Sequence, residues 1–172
     1  MKSIMLPYED GALEAVEAGE GVELSGTLYV GRDQVHKRLC GLIEAGSPLP
    51  FDFHGNGIYY MGPSPAPPGF PLGAAGPTTS MRMDPFSPLL IENGLRLMIG
   101  KGPRSEEVRM AIGRHKGLYL QAYGGCGALY SSCVRKAEVI AYPELGPEAL
   151  LRLEIENFPA FCMIDSKGNL YG

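Results

Sequence analysis

Apolar residues along the chain occur in short blocks that follow two different spacings. Residues 22–30 mix apolar and small side chains in a pattern typical of a buried strand. The next block repeats at helical spacing, with Val35, Leu39 and Ile43 on one face and Gly46 just beyond. The pattern therefore predicts a strand, a short turn and a helix that Gly46 ends.

Strands and helices alternate regularly in the second half of the chain. Ser105 precedes two glutamates, an arrangement that caps a helix and places negative charge in its first turn. The predicted strands cover residues 95–99, 118–122, 137–141 and 160–164. Helices are predicted at 84–91, 106–116 and 147–151, and a glycine-rich turn at 124–127 leads into a further short helix. This alternation indicates an α/β domain with parallel strand pairs in its second half.

Residues 47–77 form a Pro/Gly-rich loop that interrupts the alternation. Little regular structure is expected there beyond a short strand at 58–61. A loop of this length is uncommon in a compact domain unless it binds something. We therefore expect a functional loop or a cover for a partner.

Composition narrows the classes of protein to which the chain can belong. A length of 172 residues fits one domain with a core of its own. The formal net charge of −4 argues against nucleic acid as a partner, so any cationic site must be local. No apolar run is long enough to span a bilayer, and Glu9 and Asp10 come too early for a secretory signal. We expect a cytoplasmic protein with no membrane partner.

The four cysteines lack the spacing of a zinc knuckle or a redox motif. They are Cys40, Cys126, Cys133 and Cys162. Buried free thiols are the simpler interpretation, although an iron–sulfur cluster can use cysteines far apart in sequence.

The run from Gly76 to Asp84 concentrates polar chemistry that no packed core requires. It contains Thr78, Thr79 and Arg82, and Lys101 lies between two glycines after the next predicted strand. Either threonine can cap the helical turn that follows, which would make this an ordinary capped turn. The alternative is a loop whose hydroxyls and cations bind an anionic substrate.

Several motifs together resemble a known family in their order and spacing. They are Ser25-Gly26-Thr27-Leu28, Gly31-Arg32-Asp33, His36-Lys37-Arg38, Gly76-Pro77-Thr78-Thr79, Gly100-Lys101-Gly102, Tyr142-Pro143-Glu144-Leu145-Gly146 and Phe158-Pro159-Ala160. From about residue 20 onward the chain resembles the β subunit, or C-terminal domain, of iron–sulfur hydro-lyases, the class I fumarases and L-tartrate dehydratases. The sequence Thr-Thr-Ser-Met-Arg-Met at residues 78–83 looks like that of tartrate dehydratase. Gly-Lys-Gly-Pro-Arg-Ser at 100–105 and Phe-Pro-Ala at 158–160 look more like fumarase.

The resemblance implies a single domain over residues 1–172 with the swivelling β/β/α fold, an α/β fold with a mixed sheet. It also implies half of an enzyme that hydrates fumarate reversibly to L-malate. A [4Fe-4S] cluster and an aspartate that acts as the general acid would belong to a separate α subunit, which leaves this chain without metal. The α and β chains would assemble into a higher oligomer. The alternatives are the β subunit of an L-tartrate dehydratase, which forms oxaloacetate, and a dicarboxylate-binding module without chemistry.

The resemblance also assigns roles to individual residues. Thr78 matches the position of the base that takes a proton from the substrate carbon, and the residues themselves do not separate it from Thr79. Arg32, Arg82 and Lys101 would hold the two carboxylates of a small dicarboxylate together with Thr79, and Arg32 could also stabilise the alkoxide of Thr78. His36 and Asp33 would lie behind these groups. His36 lies about one helical turn after Arg32 and Asp33 and could orient either of them, or could be a purely structural histidine.

Overall fold

The structure is a computed structural model that describes residues 1–62, 66, 68–69, 71–123 and 127–172. These residues form seven strands: β1 (Lys2–Leu6), β2 (Gly21–Val30), β3 (Gly57–Tyr59), β4 (Leu97–Gly100), β5 (Leu118–Gln121), β6 (Val134–Ala141) and β7 (Leu150–Ile164). The α-helices are α1 (Asp33–Ala45), α2 (Ser87–Glu92), α3 (Glu106–His115) and α4 (Gly127–Ser132). Two 3₁₀ segments complete the list: Ser80–Met83 lies between β3 and α2, and Pro143–Glu148 lies between β6 and β7.

The strands form one mixed sheet that closes on itself. Strands β1 to β5 are parallel neighbours in chain order, whereas β7 runs antiparallel to β5, β6 and β2. Because β7 pairs with both β5 and β2, the strands β2, β3, β4, β5 and β7 close into a barrel, with β1 and β6 attached at its sides. The expected α/β class and mixed sheet are confirmed.

Two apolar clusters occupy the two faces of this sheet. Alternation along a strand sends Tyr59 to one cluster and its neighbours Ile58 and Tyr60 to the other. The cluster that contains Tyr59 includes no side chain from α1, α2 or α3. It therefore lies on the inner face of the sheet and fills the barrel. The second lies between the outer face of the sheet and those helices, and it includes Leu39 and Val108.

The local predictions hold best where a capping residue marks the end of a helix. Gly46 ends α1 in the left-handed conformation at φ 67°, and the Ser105 hydroxyl accepts a hydrogen bond from the amide of Val108 at the start of α3. Lys116, rather than Gly117, takes the left-handed conformation that ends α3. The glycine-rich turn at 124–127 falls largely on residues 124–126, which lie outside the described residues.

The helix predicted at 147–151 is wrong. Gly146, at φ 59° and ψ −124°, interrupts the 3₁₀ segment there, and β7 begins at Leu150. The strand predicted at 160–164 is the end of this fifteen-residue strand. Its apolar residues alternate with exposed Glu154 and Glu156, as expected for a strand with one buried face. Among the described residues no helix has the length and apolar character needed to cross a membrane.

Candidate functional site

The candidate site lies at the carboxyl ends of three neighbouring parallel strands. Arg32 and Asp33 follow β2, residues 60–62 follow β3, and Lys101 follows β4. The segment 77–83 runs across this edge, where Pro77 bridges to Met61 and Thr79 bridges to Lys101. The fold therefore brings all the predicted substrate-binding residues to one edge of the sheet, as is usual for ligand sites of parallel sheets.

Backbone hydrogen bonds hold the threonine segment between two strands. The amide of Thr78 donates to the carbonyl of Tyr60 at 2.7 Å, and that of Ser80 donates to the carbonyl of Lys101 at 2.9 Å. Gly100 permits this approach, because a Cβ at that position would lie 2.1 Å from Ser80 Oγ. Neither threonine caps the 3₁₀ turn: Thr79 is its first flanking residue and makes no side-chain cap hydrogen bond. The capped-turn alternative for this run is therefore wrong. Thr78 is half-buried, whereas Thr79 is exposed.

Arg32 lies against the backbone that follows β3. A Cβ on Gly62 would lie 2.7 Å from Arg32 Nη1, so the guanidinium packs directly on this glycine. Its side chain is 22% exposed, and its Nη2 lies 3.7 Å from Glu148 Oε1. Because Thr78 bonds to Tyr60, two residues before Gly62, Arg32 and Thr78 are anchored on the same short segment.

The other two cations differ in how they are held. Arg82 is 53% exposed, and its Nη2 lies 3.1 Å from Asp33 Oδ1 at the start of α1. Lys101 is half-buried and has no ion-pair partner within the part of the chain that the structure describes. Among the described residues, three cations therefore face two carboxylates at this edge, which leaves local positive charge for an anion.

His36 supports this edge from below. It is fully buried, and its Nδ1–H donates to the carbonyl of Arg32 at 2.7 Å, so it fixes the backbone where α1 begins. Burial lowers the pKa of His36 to about 4, helped by the nearby Arg104. The imidazole is therefore neutral near pH 7, and its contact is with the backbone of Arg32 rather than with the guanidinium.

A buried ion pair that the sequence pattern did not reveal lies behind the same edge. Arg104 Nε donates to Asp84 Oδ1 at 2.7 Å, Arg104 Nη2 donates to Ser87 Oγ at 2.9 Å, and the amide of Ser105 donates to Asp84 Oδ2 at 2.6 Å. The side chain of Arg104 is completely buried. The available signal was its place in Gly-Lys-Gly-Pro-Arg-Ser, but sequence does not reveal that an arginine points inward.

The described cysteines do not form a metal site. Cys40 lies on α1, whereas Cys133 and Cys162 belong to the cluster inside the barrel. Burial raises the pKa of the Cys162 thiol to about 12, which favours the protonated form over the thiolate that binds metal. Cys126 lies outside the described residues. Within the described residues, no three His, Cys, Asp or Glu side chains lie close enough together to hold a metal ion. The described residues therefore do not fit an iron–sulfur cluster.

Known proteins similar to this chain include fumarate hydratases and a subunit of a tartrate dehydratase. The family model described as "Fumarase C-terminus" matches residues 3–171. The chain is 45% identical over 150 residues to "Fumarate hydratase class I, anaerobic" of Escherichia coli, covering 86% of this chain and 27% of that protein. It is 43% identical to "Fumarate hydratase 1, mitochondrial" of Leishmania major, again covering 27% of that protein. It is 34% identical over 175 residues to "L(+)-tartrate dehydratase subunit beta" of Escherichia coli, covering 98% of this chain and 86% of that protein. The chain thus spans about a quarter of the length of the fumarate hydratases that it matches.

Proposed function

The chain belongs to the fumarase C-terminal family, and we propose that it is the β subunit of a two-subunit iron–sulfur hydro-lyase that hydrates fumarate reversibly to L-malate. The observation that carries the proposal is the convergence of Arg32, Arg82 and Lys101 with the half-buried Thr78 at one sheet edge. A substrate with two carboxylates needs at least two cationic anchors and one group that moves a proton.

Each residue at the edge has a role in the proposal. Arg32, Arg82 and Lys101 bind the two carboxylates. Thr79 donates a further hydrogen bond from its exposed hydroxyl. In the dehydration direction the alkoxide of Thr78 takes the proton from the substrate carbon, and in the hydration direction the Thr78 hydroxyl returns it. An alcohol is a very weak acid, so this role requires a cation that stabilises the alkoxide, and Arg32 supplies it. The anchoring of both residues on the segment 60–62 supports this pairing.

The proposal places the [4Fe-4S] cluster and the general acid on an α subunit. Two observations support this division. The described cysteines do not fit a cluster, and the chain covers 86% of a relative whose name calls it a subunit beta. The edge itself is open, since Met81 beside Thr79 and Arg82 is 49% exposed. We propose that this face is completed by the α subunit, and that the assembled enzyme is a cytoplasmic oligomer of both chains.

A second candidate is the β subunit of an L-tartrate dehydratase. The match to a named tartrate dehydratase subunit over 98% of this chain favours it, whereas the higher identities are to fumarate hydratases. Both substrates carry two carboxylates, so the cations at the edge suit either. A binding module without chemistry would use the same cations but would have little need for Thr78.

Reconstitution tests the proposal. The purified chain is mixed anaerobically with a cluster-loaded α subunit, and turnover of fumarate, L-malate and L-tartrate is measured for each chain alone and for the mixture. We expect no iron and no activity in the isolated chain, and activity in the mixture with fumarate preferred. Preference for tartrate would support the second candidate. Stoichiometric iron in the isolated chain, or binding of dicarboxylates without turnover by the mixture, would contradict the division of labour proposed here.

A further inference from the structure

The buried guanidinium of Arg104 connects the parts of the chain that carry the proposed substrate ligands. Its carboxylate partner Asp84 directly follows the turn Ser80–Met83 that contains Arg82. Its second partner, Ser87, opens α2, where the Ser87 hydroxyl donates to the carbonyl of Met83 at 2.9 Å. Arg104 itself lies three residues after Lys101. One side chain therefore ties the end of the turn to the segment that follows β4.

Two tyrosine rings hold the guanidinium in place and extend the connection to Ser80. Arg104 Cζ lies 5.2 Å from the ring centroid of Tyr60 and 4.8 Å from that of Tyr119. The hydroxyl of Tyr119 lies 2.7 Å from both Ser80 Oγ and the carbonyl of Gly102. A hydroxyl has one proton and a carbonyl can only accept, so Tyr119 donates to Gly102 and accepts from Ser80. The start of the turn is thus fixed through Tyr119 and its end through Asp84.

A buried ion pair is a costly way to obtain stability. Burying two charges carries a large desolvation cost, and apolar side chains of similar volume often stabilise a fold as well or better. What a buried, hydrogen-bonded fork provides is fixed geometry, because its donors reach their acceptors only in one arrangement. The arrangement here fixes the segment 78–83 relative to Lys101, and both carry proposed substrate ligands.

We propose that Arg104 is a positioning residue for the hydro-lyase reaction, acting through Asp84 and Tyr119 to hold Thr78 and Arg82 in register with Lys101. This inference rests on the proposed function for its kinetic consequence. A displacement of about 1 Å in catalytic groups can cost roughly 100-fold in rate. Arg104 touches no substrate in this account, and its effect is on the placement of groups that do.

The kinetic test uses the reconstituted α and β complex with Arg104→Lys. The lysine keeps the charge but lacks the planar fork with which Arg104 reaches Asp84 through Nε and Ser87 through Nη2. We therefore expect kcat to fall and KM to rise, with kcat/KM reduced about 10- to 100-fold. Val108→Ala is the matched control, because Val108 is a buried core residue of α3, the helix that begins beside Arg104, and belongs to neither the ion pair nor the tyrosine contacts. It should destabilise the chain without changing kcat or KM at a temperature where both variants are folded.

A second variant keeps the test decisive if Arg104→Lys folds poorly. The double change Asp84→Asn with Arg104→Met removes both charges and fills the space with an apolar chain, which can preserve stability. Near wild-type kinetics in a folded double variant would overturn the proposal, since the connection would then be dispensable.

Hydrogen exchange separates this inference from the proposed function. In the full chain, the amides of Ser80 and Asp84, which donate to the carbonyls of Lys101 and Met81, should exchange faster in Arg104→Lys than in the wild type or in Val108→Ala. Unchanged exchange at these amides would refute the positioning role whatever the activity. Faster exchange together with an inactive wild-type complex would refute the proposed function and leave the positioning of the turn intact.

Discussion

We expect the chain to lose stability as the pH falls from 7 to 5, because of the buried imidazole of His36. Its Nδ1–H donates to the carbonyl of Arg32, which leaves Nε2 bare in the neutral ring. Nε2 is buried without a protein partner among the described residues, and the ring meets that of Tyr60 edge to face at 5.2 Å. Protonation would place a charge there, close to the cation of Arg104. Burial and Arg104 lower the pKa of His36, and the Arg32 carbonyl and the Asp33 carboxylate oppose them only in part.

The magnitude follows from the difference between two pKa values. An unperturbed histidine in the unfolded chain has a pKa of about 6.5, whereas that of His36 in the folded chain is about 4. Between these values the unfolded state binds more protons than the folded state, so the free energy of unfolding falls as the pH falls. From pH 7 to pH 5 the loss is about 2 kcal/mol, which corresponds to a drop of roughly 4–8 °C in the melting temperature. The loss is complete only below a pH of about 4.

Urea unfolding of the full chain, followed by circular dichroism at several pH values, measures this dependence. His36→Asn removes the titrating ring and should make the stability nearly constant between pH 7 and pH 5, although lower at pH 7. His54→Asn is the matched control, because His54 is 74% exposed and its loss should leave the dependence unchanged. A wild-type stability that does not change over this range would show that His36 is not held neutral by its surroundings. An unchanged pH dependence in His36→Asn would show that another group causes it.

Three further predictions concern the proposed substrate ligands in the reconstituted complex. Thr78→Ala should lower kcat by roughly 10²- to 10⁴-fold with KM changed only a few-fold, as for loss of a general base; an increase in KM alone would make Thr78 a binding residue. Arg82→Lys should raise KM and lower kcat in steady-state kinetics, because lysine cannot form two parallel hydrogen bonds to a carboxylate. Its melting temperature should barely change, since an exposed ion pair contributes only about 0–1 kcal/mol. Gly62→Ala should raise KM by displacing the guanidinium of Arg32, whereas Gly41→Ala, with open space around its Cβ position, should have wild-type kinetics.

The strands and helices that the sequence predicted well are those whose signals are local. The alternation of apolar residues locates β2 and the strands of the second half, and Gly46 and Ser105 mark helix ends by their own conformation or hydrogen bond. The first strand, β1, was not predicted, because its five residues have only Ile4 and Leu6 buried and gain their structure by pairing with β2. The region 147–151 was misassigned for a related reason. Pro147 can open a helix, but the pairing of β7 with β2 and β6 decides the conformation of the residues that follow.

The candidate site divides in the same way. Arg32 and Lys101 could be located at one edge, because each follows a strand and parallel strands bring their carboxyl ends together. Thr78 and Arg82 were assigned through the family resemblance, and the structure places them at the same edge. The groups that hold this edge in place could not be found. The sequence does not show which arginine is buried, so the motif that contains Arg104 did not reveal a role for it. Its partners come from residues 60, 84, 87 and 119, which are distant in sequence.

The pairing of charges at the edge also bears on where an acid for the leaving hydroxyl could come from. Asp33 faces Arg82, and Glu148 faces Arg32, so the carboxylates of the described residues at this edge are engaged by the cations that we assign to substrate. Asp84, behind them, is bonded to Arg104 and to the amide of Ser105. His36 is buried and uses its one N–H on a backbone carbonyl. The described residues therefore supply a base and anchors more readily than an acid, and dehydration requires both. A partner that brings an acid to the open face beside Met81 would complete the chemistry, which is why the proposal divides the reaction between two chains.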